Sequence, residues 1–198
     1  VTLQAAGPVT IGTAVTGSLY VTATESITAT SVTTSNGDIN FNAGSCYYYD
    51  SVCLATSPIT ATSLSAGGGS GSDINLTSTD NGNISVDTLS ATGSINISAA
   101  SYYYWSSNPR TSAVNIGSAS AGYDFNINDY GTGDITASGN VTSGYSSSFN
   151  ARHGALALQN VSSNYGLTGN AIGDISFQTM TNATSGTLSL TTTQGRIR

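Results

Sequence analysis

Four carboxylates, Asp38, Asp73, Asp134 and Asp174, share one place in a recurring phrase, each followed at once by isoleucine. Carboxylates projecting from stacked turns of chain can serve as acid and base on a polysaccharide, or can hold calcium. Here each follows glycine or serine, a setting in which aspartate commonly accepts local backbone hydrogen bonds. No lysine or arginine stands near them, and they are spread over the chain. The expectation is a structural role at corners and no catalytic cluster. His153, next to Arg152, is the single histidine. A Ser-His-Asp triad is a matter of geometry and not of residue types. No Gly-x-Ser-x-Gly elbow opens a helix here, so His153 reads as a surface residue.

The stretch Gly67-Gly68-Gly69-Ser70-Gly71-Ser72-Asp73 has the look of a calcium-binding turn. That turn needs a large apolar residue two places after the aspartate, where this chain has Asn75, and it works in tandem copies. A glycine corner is the reading, with no metal and no cofactor. Cys46 and Cys53 sit seven apart in a tyrosine-rich stretch, and one histidine is too few for a Cys/His zinc site. A local disulfide between them implies an oxidising compartment and contributes about 2.5 kcal/mol in the chain-entropy account. Two reduced thiols are the alternative.

Two aromatic runs are the candidate binding residues: Tyr47-Tyr48-Tyr49, between the cysteines, and Tyr102-Tyr103-Tyr104-Trp105. Solvent-facing Tyr and Trp offer large area at low entropy cost, suited to a sugar ring or a protein partner. Packing of these rings over the chain beneath them is the competing reading. The Thr-rich runs 22–34 and 191–193 suggest hydroxyl ranks of the kind an ice-binding face uses, but the Thr-x-Thr units do not repeat coil after coil. Asn-x-Ser/Thr sequons begin at Asn75, Asn83, Asn96, Asn140, Asn160 and Asn182. Any that carry glycans must face outward.

What must position these residues is a repeat. The phrase is a Gly or Ser, a small polar residue, an aliphatic, a polar residue and another apolar one. It reads Gly17-Ser18-Leu19-Tyr20-Val21, Gly37-Asp38-Ile39-Asn40-Phe41, Ser72-Asp73-Ile74-Asn75-Leu76 and Gly93-Ser94-Ile95-Asn96-Ile97. It returns at Gly133, Gly173 and Gly186, and more loosely at Asp124-Phe125-Asn126-Ile127 and at Gly154. A period near 20 residues, cut into two or three strands of three to five residues, fits one coil of a β-solenoid. Alternation places one apolar residue inward and the next polar residue outward. Ile39, Ile74, Ile95, Ile135 and Ile175 are expected as one core column, with Phe41, Leu76, Ile97 and Phe177 as its neighbour. Asn40, Asn75 and Asn96 are expected as an outer ladder. Pro8, Pro58 and Pro109 lie outside the phrases, as a hydrogen-bonded ladder requires. The spacing stretches near 45–58, 101–113 and 144–153, which reads as three inserted loops on one solenoid domain spanning 1–198.

Only 7% of the 198 residues are charged, against roughly 25% in ordinary soluble domains. There is no lysine; the cations are Arg110, Arg152, Arg196 and Arg198, and the net charge is -6. Binding to a phosphate backbone or to anionic lipid needs clustered cations that this chain lacks. No run approaches the ~20 apolar residues of a membrane-spanning helix, so no membrane insertion is expected.

Gly37-Asp38-Ile39-Asn40-Phe41-Asn42-Ala43 and Gly93-Ser94-Ile95-Asn96-Ile97-Ser98-Ala99 resemble repeats of the filamentous-haemagglutinin family, exoproteins of Gram-negative bacteria. Gly186-Thr187-Leu188-Ser189-Leu190 followed by Gln194-Gly195-Arg196-Ile197 is similar, and the likeness runs from about Gly17 to the last residue. Autotransporter passengers use similar phrases. The family's amino-terminal secretion domain is not recognisable here, and the tyrosine-rich insertions are not part of its usual repeat. The resemblance implies an all-β, right-handed parallel β-helix, export to the cell surface, and a role in adhesion, biofilm or surface matrix. The expected function is thus an extracellular structural or adhesive rod that is not an enzyme. Its partner is then a glycan or protein ligand on a surface, or other copies of itself. The alternative is a subunit of a filament stacking end to end, since Val1–Ile11 already alternates and a fresh phrase opens at Gly195. A carbohydrate-active β-helix enzyme is the weakest reading, because no carboxylate groove can be assembled from the sequence.

Overall fold

The computed structural model describes residues 1–44, 56–69, 71–79, 81–100, 110–184 and 186–198. Their strands, numbered in chain order, fall into two parallel sheets. The odd-numbered sheet holds β1 (Thr2–Ala5), β3 (Leu19–Ala23), β5 (Ile39–Ala43), β7 (Ile74–Ser78), β9 (Ile95–Ala99), β11 (Phe125–Asp129), β13 (Ser146–Ala151), β15 (Gly166–Ala171) and β17 (Thr187–Thr192). The even-numbered sheet holds β2 (Val9–Thr16), β4 (Ile27–Thr34), β6 (Ile59–Ala66), β8 (Ile84–Ala91), β10 (Val114–Ala121), β12 (Ile135–Ser143), β14 (Leu156–Ser163) and β16 (Ile175–Asn182). The chain passes from one sheet to the other after each strand and pairs every strand with the one two places on. The result is a β-solenoid of about eight coils of ~21 residues. Nine strands spaced by about 4.8 Å make a stack about 38 Å long.

The short strands alternate strictly. In β5, Ile39, Phe41 and Ala43 are buried while Asn40 and Asn42 face outward. The eight-residue strands do something the sequence hides. In β4, Ile27 and Ala29 point inward, Thr30 and Ser31 both point away, and Val32 and Thr34 point inward again. Alternation therefore slips by one in mid-strand while the ladder continues. Ile59-Thr60-Ala61 and Ile84-Ser85-Val86, which look like isolated short pieces, are the first arms of these longer strands. In β12 the slip takes up one more residue: Ile116 pairs with Ala137 but Ala119 pairs with Val141. Gly139 lies in that bulge.

Parallel register stacks like upon like. Leu19, Ile39, Ile74, Ile95 and Phe125 form one inward column of the odd sheet, and Val21, Phe41, Leu76, Ile97, Ile127 and Phe149 form its neighbour. The Phe125 and Phe149 rings meet at 5.6 Å. Ile135, Ile175 and Phe177 do not belong to these columns. They lie in the even sheet, with Ile135 and Ile175 in line with Ile27, Ile59, Ile84, Val114 and Leu156. One phrase opens both kinds of strand because both follow a corner of the same local chemistry, so the phrase marks a corner and not a sheet. The Asn ladder forms as expected and extends one coil further. Asn75 Nδ2 donates to Asn40 Oδ1 (2.9 Å), Asn96 to Asn75 (3.0 Å) and Asn126 to Asn96 (3.1 Å).

The first two expected insertions fall largely outside the described residues; the residues that precede them, Gly44 after β5 and Ala100 after β9, stand at one corner with positive φ (111° and 50°). β5 and β9 flank β7 in the sheet, so Gly44 and Ala100 lie about 10 Å apart along the axis. The third expected loop is not one: residues 144–153 contain β13, paired on both sides. Ser147 occupies an inward slot there, and a polar residue in a core position disguises the alternation. Its hydroxyl closes a buried ring with Ser143 (2.9 Å) and Ser163 (2.8 Å), which are themselves 3.0 Å apart. Three hydroxyls in a ring each donate once and accept once, so none is left unsatisfied.

Truncating a central column residue should expose how each coil relies on its neighbours. Ile97→Ala is expected to lower the free energy of unfolding by about 2–5 kcal/mol, while the outward Thr33→Ala stays within about 0.5 kcal/mol. Urea titration of both variants by circular dichroism checks this, and equal losses would contradict the inward assignment.

Candidate functional site

The phrase carboxylates are rungs between coils. Asp38 Oδ1 accepts the N–H of Asp73 (2.9 Å), Asp73 Oδ1 that of Ser94 (2.7 Å) and Asp124 Oδ1 that of Ser146 (3.1 Å). At the other corner Asp134 accepts from Ala155 (2.7 Å) and Asp174 from Arg196 (2.8 Å). Each side chain thus extends the backbone ladder through a turn where the strands have stopped. These aspartates divide between two corners and converge on no common groove. Among the described residues no group of three or more His, Cys, Asp or Glu side chains is placed to share a metal ion. Against the expectation that no cation stands near these carboxylates, the last coil brings Arg198 onto Asp174; at the surface, Asp174 is held below the usual carboxylate range by the Arg196 N–H and by its ion pair with Arg198.

A different carboxylate is buried. Asp129 takes the last inward slot of β11, where neighbouring coils place Ala99 and Ala151, and is fully shielded from solvent. Its Oδ1 accepts from the Ser112 hydroxyl and from the Gly131 N–H (2.9 Å), and its Oδ2 has no partner. Burial raises its pKa, Ser112 and Gly131 draw it part of the way back, and nearby Asp134 raises it further. The equivalent positions meet near the first expected insertion with donor and acceptor exchanged, the Ser78 hydroxyl donating to the Ser57 carbonyl at 3.1 Å. Ser57 and Ser112 each stand two places before an even strand and just after an insertion, so both pairs pin the returning chain to the next coil. The sequence signal for Asp129 is a charge in the slot that follows Phe125 and Ile127 at period two.

At the corner leading into the odd sheet, a row of tyrosines stands on three successive coils. Tyr123, Tyr145 and Tyr165 replace the glycine that occupies this place as Gly37 and Gly93. Their backbones are in strict register, with Tyr145 N–H donating to the Tyr123 carbonyl (3.0 Å) and Tyr165 N–H to that of Tyr145 (2.9 Å). The rings of Tyr145 and Tyr165 are 4.7 Å apart and tilted by 34°. About half of each residue remains exposed, 51%, 51% and 52% in turn. The close approach between coils is handled one residue earlier: a Cβ on Gly122 would collide with the Thr92 carbonyl, and one on Gly144 with that of Gly122. Moving the glycine back frees the next place for a large side chain. Gly122-Tyr123, Gly144-Tyr145 and Asn164-Tyr165 recur at intervals of 22 and 20, the coil period. Sequence reading centred on the denser triplets passes over them.

Cys46, Cys53, Tyr47–Tyr49, Tyr102–Tyr104 and Trp105 lie outside the described residues. His153 is exposed beside Arg152, whose guanidinium lies 4.6 Å over the Tyr130 ring. Thr28-Ala29-Thr30 stacks in register on Thr60-Ala61-Thr62, and the next coil breaks the rank with Ser85-Val86-Asp87. The glycine stretch 67–73 joins β6 to β7, with Gly68 and Gly71 at φ of 96° and 105°. No known family model matches the chain, and neither a curated protein nor a solved structure matches it.

The buried carboxyl carries a signed pH dependence. Because the folded state raises the pKa of Asp129, the fold binds its proton more readily than the unfolded chain does. Stability from this group therefore rises as pH falls through the folded pKa and is complete below the ordinary carboxylate value. Asp174 acts in the opposite sense but is common to wild type and Asp129→Asn. Melting temperatures from pH 7 to pH 4 are expected to show wild type gaining on the variant as pH falls; a constant difference would contradict the burial of this charge.

Proposed function

We propose that this chain is a structural and adhesive segment of an extracellular β-solenoid, a rigid stem that holds binding groups away from the surface that carries it. The observation that carries this reading is the residue-for-residue parallel register from β3 to β15, whose inward columns are largely apolar and are interrupted at Ser147, Asp129 and Gly169. Such a stack resists bending because every coil is bonded along its length to the coils on either side. Its outer faces are Ser, Thr and Asn, and few charges act at long range. Gly44 and Ala100, which precede the two aromatic runs, stand at one corner of the stem, which supports the runs as its binding groups. A stem of this kind needs no catalytic group, and the reading assigns none.

A second reading is a filament subunit. The inward columns reach the outermost strands, where Leu3 and Leu188 remain partly exposed, and the edges of β1 and β17 each have one unpaired side. Such edges accept a further coil, from more of the same chain or from another copy.

Negative-stain electron microscopy combined with bead adhesion tests both readings. Isolated rods about 40 Å long whose beads adhere to a bacterial or host-cell lawn support the stem. Long fibres whose formation depends on the end strands support the filament. Replacing Tyr102–Trp105 by Ser is expected to weaken adhesion and leave the rods intact. Compact particles with no long axis would overturn both.

A further inference from the structure

We propose that Asn36 is a site of spontaneous covalent modification, converting through a cyclic imide to aspartate and isoaspartate, while the fold protects the chemically similar Asn81. The proposal goes beyond the stem reading and does not rest on it. The chain holds two Asn-Gly pairs, Asn36-Gly37 and Asn81-Gly82. At such a pair the glycine nitrogen, once deprotonated, attacks Cγ of the asparagine side chain. The Cγ–Nδ2 bond breaks, the amide nitrogen takes up protons and leaves as ammonia, and a five-membered imide ring remains. Water then adds to one of the two ring carbonyls and opens the ring, giving aspartate or isoaspartate. Water is the one co-reactant. Glycine favours the step because it carries no Cβ to shield its nitrogen. The stack itself demands that glycine: a Cβ on Gly37 would overlap the Ser18 hydroxyl of the preceding coil, and one on Gly82 the Ser57 carbonyl.

The two pairs differ in how the asparagine is held. Asn36 is exposed at the corner between β4 and β5, and Gly37 is partly exposed. The corner is anchored around them: the Ser35 N–H donates to the Thr16 carbonyl (2.8 Å), the Asn36 N–H reaches the Gly17 carbonyl (3.4 Å), and the Thr34 hydroxyl donates to the Gly37 carbonyl. No hydrogen bond engages the Asn36 side-chain amide or the Gly37 N–H, so the group attacked and the group that attacks are both free. At the second pair Asn81 Oδ1 accepts the Thr111 N–H (3.0 Å), the Asn81 carbonyl accepts the Ser57 N–H (3.1 Å), and Gly82 is buried. The ladder asparagines are protected twice, by their mutual hydrogen bonds and by the bulky residues that follow Asn40, Asn75 and Asn96. Both products add a negative charge two residues before Asp38. Isoaspartate also carries the chain through Cβ and lengthens the corner by one atom. The next coil leaves it little room, for a Cβ on Gly68 would overlap the Ser35 carbonyl and one on Gly69 would stand 3.2 Å from Asn36 Oδ1. Modification therefore loads the glycine corner that leads into β7.

Incubation of the full chain at mildly alkaline pH in water enriched in heavy oxygen, followed by peptide mapping by mass spectrometry, provides the test. Each conversion takes one oxygen from water, so the label marks the residue that reacted. A protease that cuts before aspartate but not before isoaspartate separates the two products. In the folded chain, labelling at Asn36 is expected to exceed that at Asn81 by roughly tenfold or more, because a hydrogen bond and burial raise the barrier at the second site. In guanidinium chloride the two sites should label at comparable rates, since only local sequence then acts on them. Asn36→Gln, whose longer side chain would have to close a six-membered ring, should lose the label and keep the circular dichroism of the wild type. An Asn36 that stays unlabelled in the folded chain overturns the proposal, whatever happens in denaturant. So does an Asn81 that labels as fast as Asn36 while the chain is folded. Label retained by the same peptide in Asn36→Gln overturns it as well, by placing the reaction on another residue.

Discussion

Everything in this molecule depends on parallel strands pairing residue for residue with their equivalents one coil away. A hydrogen bond from each backbone N–H to the coil beside it leaves a residue little choice of neighbours, for those above and below it occupy the same slot. Apolar slots then become columns, amide slots become ladders, and a carboxylate beside a corner reaches the same backbone group in coil after coil. The burial of Ile39, Ile74 and Ile95, the chain of side-chain amide hydrogen bonds from Asn40 to Asn126, and the hydrogen bond that the Asp73 N–H donates to Asp38 are one constraint expressed in three chemistries. The short strands hold for the same reason: five residues are too few for a stable hairpin in isolation, but they suffice when both edges are paired.

Departures from that constraint mark where the chain does something beyond stacking. Ala99 and Ala151 bracket Asp129 in a column of small residues, so the carboxyl displaces no large side chain, yet it gives up solvent for two hydrogen bonds and one empty oxygen. The Ser143, Ser147 and Ser163 hydroxyls break an apolar column in another way and satisfy one another completely. The tyrosine row departs at the surface, where register sets Tyr123, Tyr145 and Tyr165 at one corner of successive coils and brings the Tyr145 and Tyr165 rings against each other.

The fold was legible because the phrase carries period two within a strand and a period near 20 between coils. The inward positions Ile39, Phe41, Ile74, Leu76, Ile95 and Ile97 could be read directly from that alternation. The division into two sheets was not legible, since Gly133-Asp134-Ile135 in one and Gly37-Asp38-Ile39 in the other are locally alike. The path through 144–153 was hidden by Ser147, because hydropathy cannot distinguish an outward hydroxyl from an inward one whose bonds are met by other hydroxyls. The site was less legible still. Dense aromatic triplets draw the eye, whereas Tyr123, Tyr145 and Tyr165 are single residues that become neighbours only after the chain has travelled once around.

The slip in the middle of the long strands bears on how such a chain can change over generations. Two consecutive outward residues there mean that the inward set before the slip and the inward set after it are phased independently. An added residue at that point, such as the one Gly139 accommodates in β12, lengthens its coil without turning a single core side chain to solvent. Elsewhere in a strand the same addition would invert every position beyond it. The solenoid thus carries in each coil one place where insertions and deletions are tolerated, and coils of unequal length can be duplicated, lost or exchanged while their neighbours stay paired.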